Sequence, residues 1–264
     1  MKLVKPIALL LSLFTTSATA ATMTFDSVSN GVWDRTDTNW LPSSGSNNVW
    51  NAGNGPNNTA VFSNTSVKTI SPTSVYAGTL NVNGGSTTTF SGGTVRSGQI
   101  IIRNNSKVVI QNSTFQSVSQ VMFQDYGTLR ISGTGSVLAN TYLFQTVDLS
   151  SGKHGELDLT GSNQSLTGID SKIKLGQQLN VASAGSNYAI KLIDFTGATN
   201  IGTIPADGSQ LVGYTPTNGL LYGQAIIRRG GAFYLVSIVP EPGTIALLGV
   251  GCLILLRRPS KRRR

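Results

Sequence analysis

Four short apolar pieces recur along the middle of the chain: "GTLNV" from Gly78, "QIIIR" from Gln99, "SQVMF" from Ser119 and "NTYLF" from Asn140. They start about 20 residues apart, a period that belongs to stacked repeats. Each interval carries further strand-like pieces, "TVRSG", "KVVIQ" and "TLRISG". Turn signals divide them at Gly84-Gly85, Gly92-Gly93, Asn104-Asn105 and Gly133-Thr134-Gly135. Apolar residues alternate at Leu80/Val82, Leu129/Ile131 and Leu157/Leu159, which is the period of a half-buried strand. Several strands per unit predict an all-β body, a parallel β-helix or solenoid whose stacked coils pair their backbones above and below. An antiparallel β-sandwich is the alternative, since it also needs many short strands with turns between them.

The repeat occupies residues 78–180, and two sections flank it. Residues 21–77 hold every tryptophan, Trp33, Trp40 and Trp50, among Asn, Gly, Pro and Ser clusters that predict hairpins or loops. The trio is read first as packing; its alternative is an exposed platform for sugar stacking. Residues 181–239 carry clearer strands, from Ala189 to Phe195, Ala225 to Arg229 and Ala232 to Val239, with Gly230-Gly231 as a hairpin turn. This section is expected to cap the open end of the repeat.

A net charge of +9 invites a nucleic-acid partner, but the charge is unevenly placed. Lys2 and Lys5 lie near the start, and six basic residues face Glu241 within the last 25. Residues 22–239 hold 12 basic residues against 10 acids, so the body lacks the basic face that nucleic acid requires. Cys252, the single cysteine, leaves the body without a disulfide or a thiolate metal site.

The two ends read as addresses. Lys2 and Lys5, the apolar run from Ile7 to Phe14, and Ala18-Thr19-Ala20 form a secretory signal peptide over residues 1–20, with cleavage expected between Ala20 and Ala21. At the other end, Gly243 to Leu256 carries no charge, and Arg257 and Arg258 follow at once. Fourteen residues are short for a bilayer core, and snorkelling arginines extend them. The positive-inside rule then places the basic end in the cytoplasm and the body outside. Val239-Pro240-Glu241-Pro242 precedes this helix, and its prolines hold the junction extended.

That order over residues 240–264, a Pro-Glu-Pro motif, an apolar run with Ala246-Leu247-Leu248-Gly249 and a basic end, resembles the PEP-CTERM sorting signal. The resemblance implies a Gram-negative exported protein, anchored in the inner membrane through helix 243–256 and cut near the prolines by an exosortase. Export machinery, signal peptidase and exosortase are then the expected partners, with exopolysaccharide a further one and a cell-surface or matrix destination. The central repeat, with "WDRTDTNW" ahead of it, resembles the passenger repeats of autotransporter-like proteins. That likeness implies a right-handed parallel β-helix, although no C-terminal barrel pattern follows.

No catalytic set stands out. His154 is the one histidine, in "SGKHGEL", and no G-x-S-x-G elbow accompanies it. Glu156 and Asp158 share one strand face, with Leu157 and Leu159 opposite, which reads as a solvent edge. Scattered acids leave a hydrolase or lyase on a β-helix as the rival to a structural role. Neither a phosphate cradle nor a calcium loop is written in the chain, so no cofactor or metal is expected.

Overall fold

The computed structural model describes residues 20–25, 31–34, 36, 38–42, 50, 58–63, 65–163, 172–181, 188–199 and 224–237. They form an all-β body of 19 strands in two sheets, and no α-helix occurs among them. The expected signal helix and the membrane helix at 243–256 lie outside the described residues. No described helix is long and apolar enough to cross a membrane.

The four periodic pieces become β6 (Ser74–Val82), β8 (Thr94–Ile102), β11 (Gln120–Phe123) and β14 (Tyr142–Asp148). They lie side by side in the first sheet, all parallel. Leu80 sits opposite Ile100, Ile100 opposite Val121, and Val121 opposite Tyr142, so each register step spans 20 or 21 residues. The sheet continues to β16 (Ile173–Leu179) on one side and to β4 (Thr59–Phe62), β1 (Thr22–Phe25) and β3 (Trp40–Pro42) on the other.

The intervening pieces build the second sheet in the same manner. β5 (Lys68–Pro72), β7 (Thr87–Ser91), β9 (Lys107–Gln111), β12 (Thr128–Ser132), β15 (Glu156–Asp158) and β17 (Ala189–Asp194) follow one another in parallel. β2 (Gly31–Trp33) pairs with β5 at one edge. The chain thus alternates between sheets, and each strand returns beside the one laid down a register step earlier. β10 (Thr114–Val118) and β13 (Ser136–Ala139) add a third run beside the first half of β8.

Among the described strands, antiparallel pairing is confined to the ends. β3 runs against β1, and β19 (Ala232–Ser237) runs against both β17 and β18 (Gln224–Arg229). The parallel body therefore does not follow the antiparallel sandwich alternative. The hairpin at Gly230-Gly231 forms as its dipeptide predicts, with Arg229 opposite Ala232.

Alternation decides which side chains face inward. Leu80, Val82, Ile100, Ile102, Val121, Phe123, Tyr142 and Phe144 are buried from the first sheet; Phe90, Val108, Ile110, Leu129, Ile131 and Leu157 are buried from the second. One continuous apolar cluster runs from Met23 to Leu235. Between the strands, Phe62, Phe90 and Phe115 come from different register positions and meet edge to face, their ring centres 5.4 and 5.3 Å apart in turn. Among the described residues one buried position carries a charge: Lys68, its ammonium 5.4 Å from the centre of the Phe25 ring.

Turns between the sheets are tight, and Gly93 shows why. Its φ is +66°, and a Cβ there would fall 1.6 Å from the carbonyl oxygen of Pro72. Only glycine gives both the left-handed backbone and the close approach.

Candidate functional site

Passages from the first sheet to the second stack in a column. Residues 83–86, 103–106 and 124–127 occupy equivalent places, because Val82, Ile102 and Phe123 are in register before them and Thr87, Lys107 and Thr128 after them. Asn105 donates its backbone N–H to the carbonyl of Asp125, 2.9 Å away, which ties two of the turns together. The next passage, 145–155, is longer, because Phe144 is in register with Phe123 but Glu156 with Thr128.

This longer passage folds back on itself and makes a cleft. Asp148 and Lys153 exchange backbone hydrogen bonds of 2.7 and 3.0 Å, closing a small loop. Oδ1 of Asp148 accepts from Ser150 N, Ser150 Oγ and Asn180 Nδ2 at 3.1, 3.0 and 3.0 Å. Lys153 reaches across, its ammonium 5.0 Å from the centre of the Tyr126 ring. Asp125, Tyr126, Thr146, Asp148, Lys153 and Leu179 line the resulting cleft of about 180 Å³.

Electrostatics keep one wall charged. The hydrogen bond from Asn180, with those from Ser150 and Ser151, lowers the Asp148 carboxyl from 3.8 to about 2 against a smaller opposing effect of desolvation. The hydrogen bonds from Ser150 and Asn180 all meet Oδ1. Among the described residues, no donor or acceptor meets the hydroxyl of Tyr126, which is shielded from solvent.

Gly155 sets the floor of this loop. A Cβ there would stand 2.1 Å from Cβ of Phe123, so the longer passage descends onto the aromatic core only through a glycine.

The residues singled out from the sequence fall elsewhere. Trp33, Trp40 and Trp50 come together, but inside: their exposures are 0%, 0% and 1%. Trp40 and Trp50 lie 4.7 Å apart, Trp33 and Trp50 5.3 Å apart, and Phe25, Phe62 and Phe90 pack against the group. Sugar stacking on these indoles is therefore corrected to core packing, because a platform needs an open ring face.

His154 sits in the loop, its Nδ1–H donating to the carbonyl of Gly152 at 2.5 Å. Glu156 and Asp158 lie on the outer strand face, with Leu157 and Leu159 buried opposite. Both acids are paired, Glu156 with Lys191 at 2.9 Å and Asp158 with Arg130 at 3.8 Å. Lys191 also meets Asp194 at 2.8 Å. Burial alone raises the Asp194 carboxyl, but hydrogen bonds from Lys191 and Thr196 outweigh it and hold it low. No group of three or more metal-ligating side chains occurs among the described residues.

Of the cleavage residues, Ala18 lies outside the described residues, as do Val239, Pro240, Glu241, Pro242, Gly243, Leu256, Arg257 and Arg258. Ala20 is exposed, and Ala21 donates its N–H to Oδ1 of buried Asn58 at 2.9 Å. The first strand starts one residue later, at Thr22.

Comparison with known proteins bears on the C-terminus. Residues 239–263 match the PEP-CTERM protein-sorting motif. The sorting motif supports an exosortase substrate directed out of the cell, with a C-terminal region anchored in the membrane during transit. No curated protein and no solved structure matches the chain.

Proposed function

We propose that this protein is a non-catalytic component of the cell surface or extracellular matrix, associated with exopolysaccharide. Its body is a parallel β-helix. The right-handed sense follows from the usual hand of crossovers between parallel neighbours. Arg257 and Arg258 stay on the cytoplasmic side while residues 243–256 hold the chain, and an exosortase then cuts near Pro240 and Pro242.

The sorting motif at 239–263 is the single observation that carries this reading. Parallel register steps of 20 or 21 residues support the β-helix. A low charge density and rows of amide and hydroxyl side chains suit weak, multivalent contact with a glycan. Gln124 donating to Gln145 at 2.7 Å, one register step apart, is an instance of such a row. The ion pairs of Glu156, Asp158 and Asp194 favour a structural use of those acids over a hydrolytic one.

Mass spectrometry of the mature chain, from wild-type cells and from cells lacking the exosortase, tests the sorting step. A C-terminus shortened near Pro240 in the wild type, and intact in the deletion, is expected. An intact Arg264 terminus in both strains overturns the processing.

A further inference from the structure

The last strand and the sorting motif stand one residue apart. β19 ends at Ser237, and the match to the motif begins at Val239, with only Ile238 between them. β19 is also held to its final residue on both sides. Ser237 lies opposite Gln224 of β18, and its N–H donates to the carbonyl of Tyr188 at 3.3 Å on the β17 side. Leu235 sits between Ile190 and Ile226, and Phe233, Leu235 and Val236 are buried. The rings of Phe233 and Phe195 meet at 5.1 Å. Gln224 donates from Nε2 to Oε1 of Gln178 at 2.7 Å, tying the hairpin to the first sheet as well.

Two physical limits follow. An extended segment is gripped through its backbone N–H and C=O groups, the groups that a sheet also uses. In β19 both rows are taken, so an enzyme has only Ile238 and Val239 to grip on the body side of Pro240. The prolines themselves have no N–H to offer. The second limit is distance. Residues 238–242 reach at most about 17 Å from the body to the membrane segment at 243, however they are arranged. A small domain is roughly 30 Å across, too wide to enter that gap. Freeing β19 as well lengthens the tether to residues 232–242, which reach about 37 Å. Thirty positions separate Asp194 from Gln224, enough for the β18–β19 hairpin to leave as a unit while β17 stays in the sheet. Terminal units of this kind open locally, without global unfolding.

We infer that the docked β18–β19 hairpin withholds the sorting motif, and that the exosortase cuts chains whose hairpin is off the body. Folding of the cap and sorting then compete, and the open population sets the rate of release. The inference rests on the exosortase processing proposed above and adds what controls it. The step so controlled breaks one peptide bond near the prolines. Its acyl side passes to a nucleophile, either water or an amine or hydroxyl acceptor, and the proton of that nucleophile goes to the departing amine of the membrane segment.

The test is pulse–chase of the full-length chain in wild-type cells, with the shortened product read by gel and mass spectrometry. A minor open state is populated at about 0.1–10%. A flexible Gly/Ser spacer of about ten residues between Ser237 and Ile238 is therefore expected to speed cutting at least about tenfold. The spacer leaves β19 and its partners in place. A cross-strand disulfide is the opposite device. Lys191→Cys with Tyr234→Cys joins residues that face each other across β17 and β19, in a body with no other cysteine. Cutting is expected to slow by a comparable factor when the disulfide forms and to recover when a reductant opens it.

A spacer that leaves the rate unchanged overturns the inference, because grip and distance then do not limit the enzyme. Faster cutting with the spacer, but equal cutting of the linked and reduced chains, overturns it too, since the strand then need not leave. A chain that stays intact to Arg264 in wild-type cells, with and without the spacer, removes the processing and its control together. Only that last result touches the broader reading, so the two failures are told apart.

Discussion

Phe123 and Phe144 stack one register step apart, ring centres 4.8 Å from each other and planes inclined by only 16°. Gly155 presses its backbone on the first of them. Phe123→Ala removes a buried ring and leaves a void, costing about 3–5 kcal/mol. Gly155→Ala has the opposite defect, a methyl where there is no room. Both variants are expected to unfold at lower denaturant with an unchanged slope, as read by circular dichroism.

Gly92 and Gly93 separate two glycine effects within one turn. Both have positive φ, 80° and 66°, but a Cβ on Gly92 meets nothing within 4 Å whereas one on Gly93 strikes the Pro72 carbonyl. Gly92→Ala is expected to cost about 1–2 kcal/mol from backbone strain alone. Gly93→Ala is expected to cost more than that, because the facing backbone must also retreat. Equal midpoints for the two in urea melts contradict this account.

Acid should loosen the molecule late. Asp148 and Asp194 are both held below the ordinary 3.8 when folded, so their contribution is present above about pH 4; that of Asp148 is lost as pH falls toward 2, and that of Asp194 falls in the same direction. Melting temperature is expected to hold steady from neutrality to about pH 4 and then to drop. Asp194→Asn should flatten part of that drop, since it removes the charge that Lys191 holds.

Buried indoles give an optical prediction. Intrinsic tryptophan emission should be blue-shifted, resistant to acrylamide, and unchanged by added oligosaccharides. Exposure to quencher in the native state is the result that would restore the stacking platform.

How much of this was written in the sequence varies by feature. Periodic strands were legible because Leu80/Val82 and Leu129/Ile131 alternate and the turns between them carry Gly and Asn. β13 was harder, because in "SVLA" the largest apolar side chain, Leu138, faces outward while Val137 and small Ala139 are the buried ones. Lys68 was unreadable: alternation puts it with Ile70 on the inner face, and the charge argues for the outer one. Proximity of Asp125 to Asp148 arises only when coils stack, since 23 residues separate them. A signal for Tyr126 did exist. Gly84-Gly85 and Asn104-Asn105 are turn pairs one period apart, and one more step of 21 lands on Asp125-Tyr126. Only the stacking shows that this step asks a tyrosine to take a glycine's conformation.

Neighbours in the central ladders are strictly local: β8, for instance, is flanked by β6 on one side and by β10 and β11 on the other. Duplicating one such unit therefore replaces the contacts it interrupts with like ones and adds one strand spacing, about 4.8 Å, along the stack. Chain length becomes reach. Such a stack can be lengthened by counting units, in even increments, without redesigning the interior.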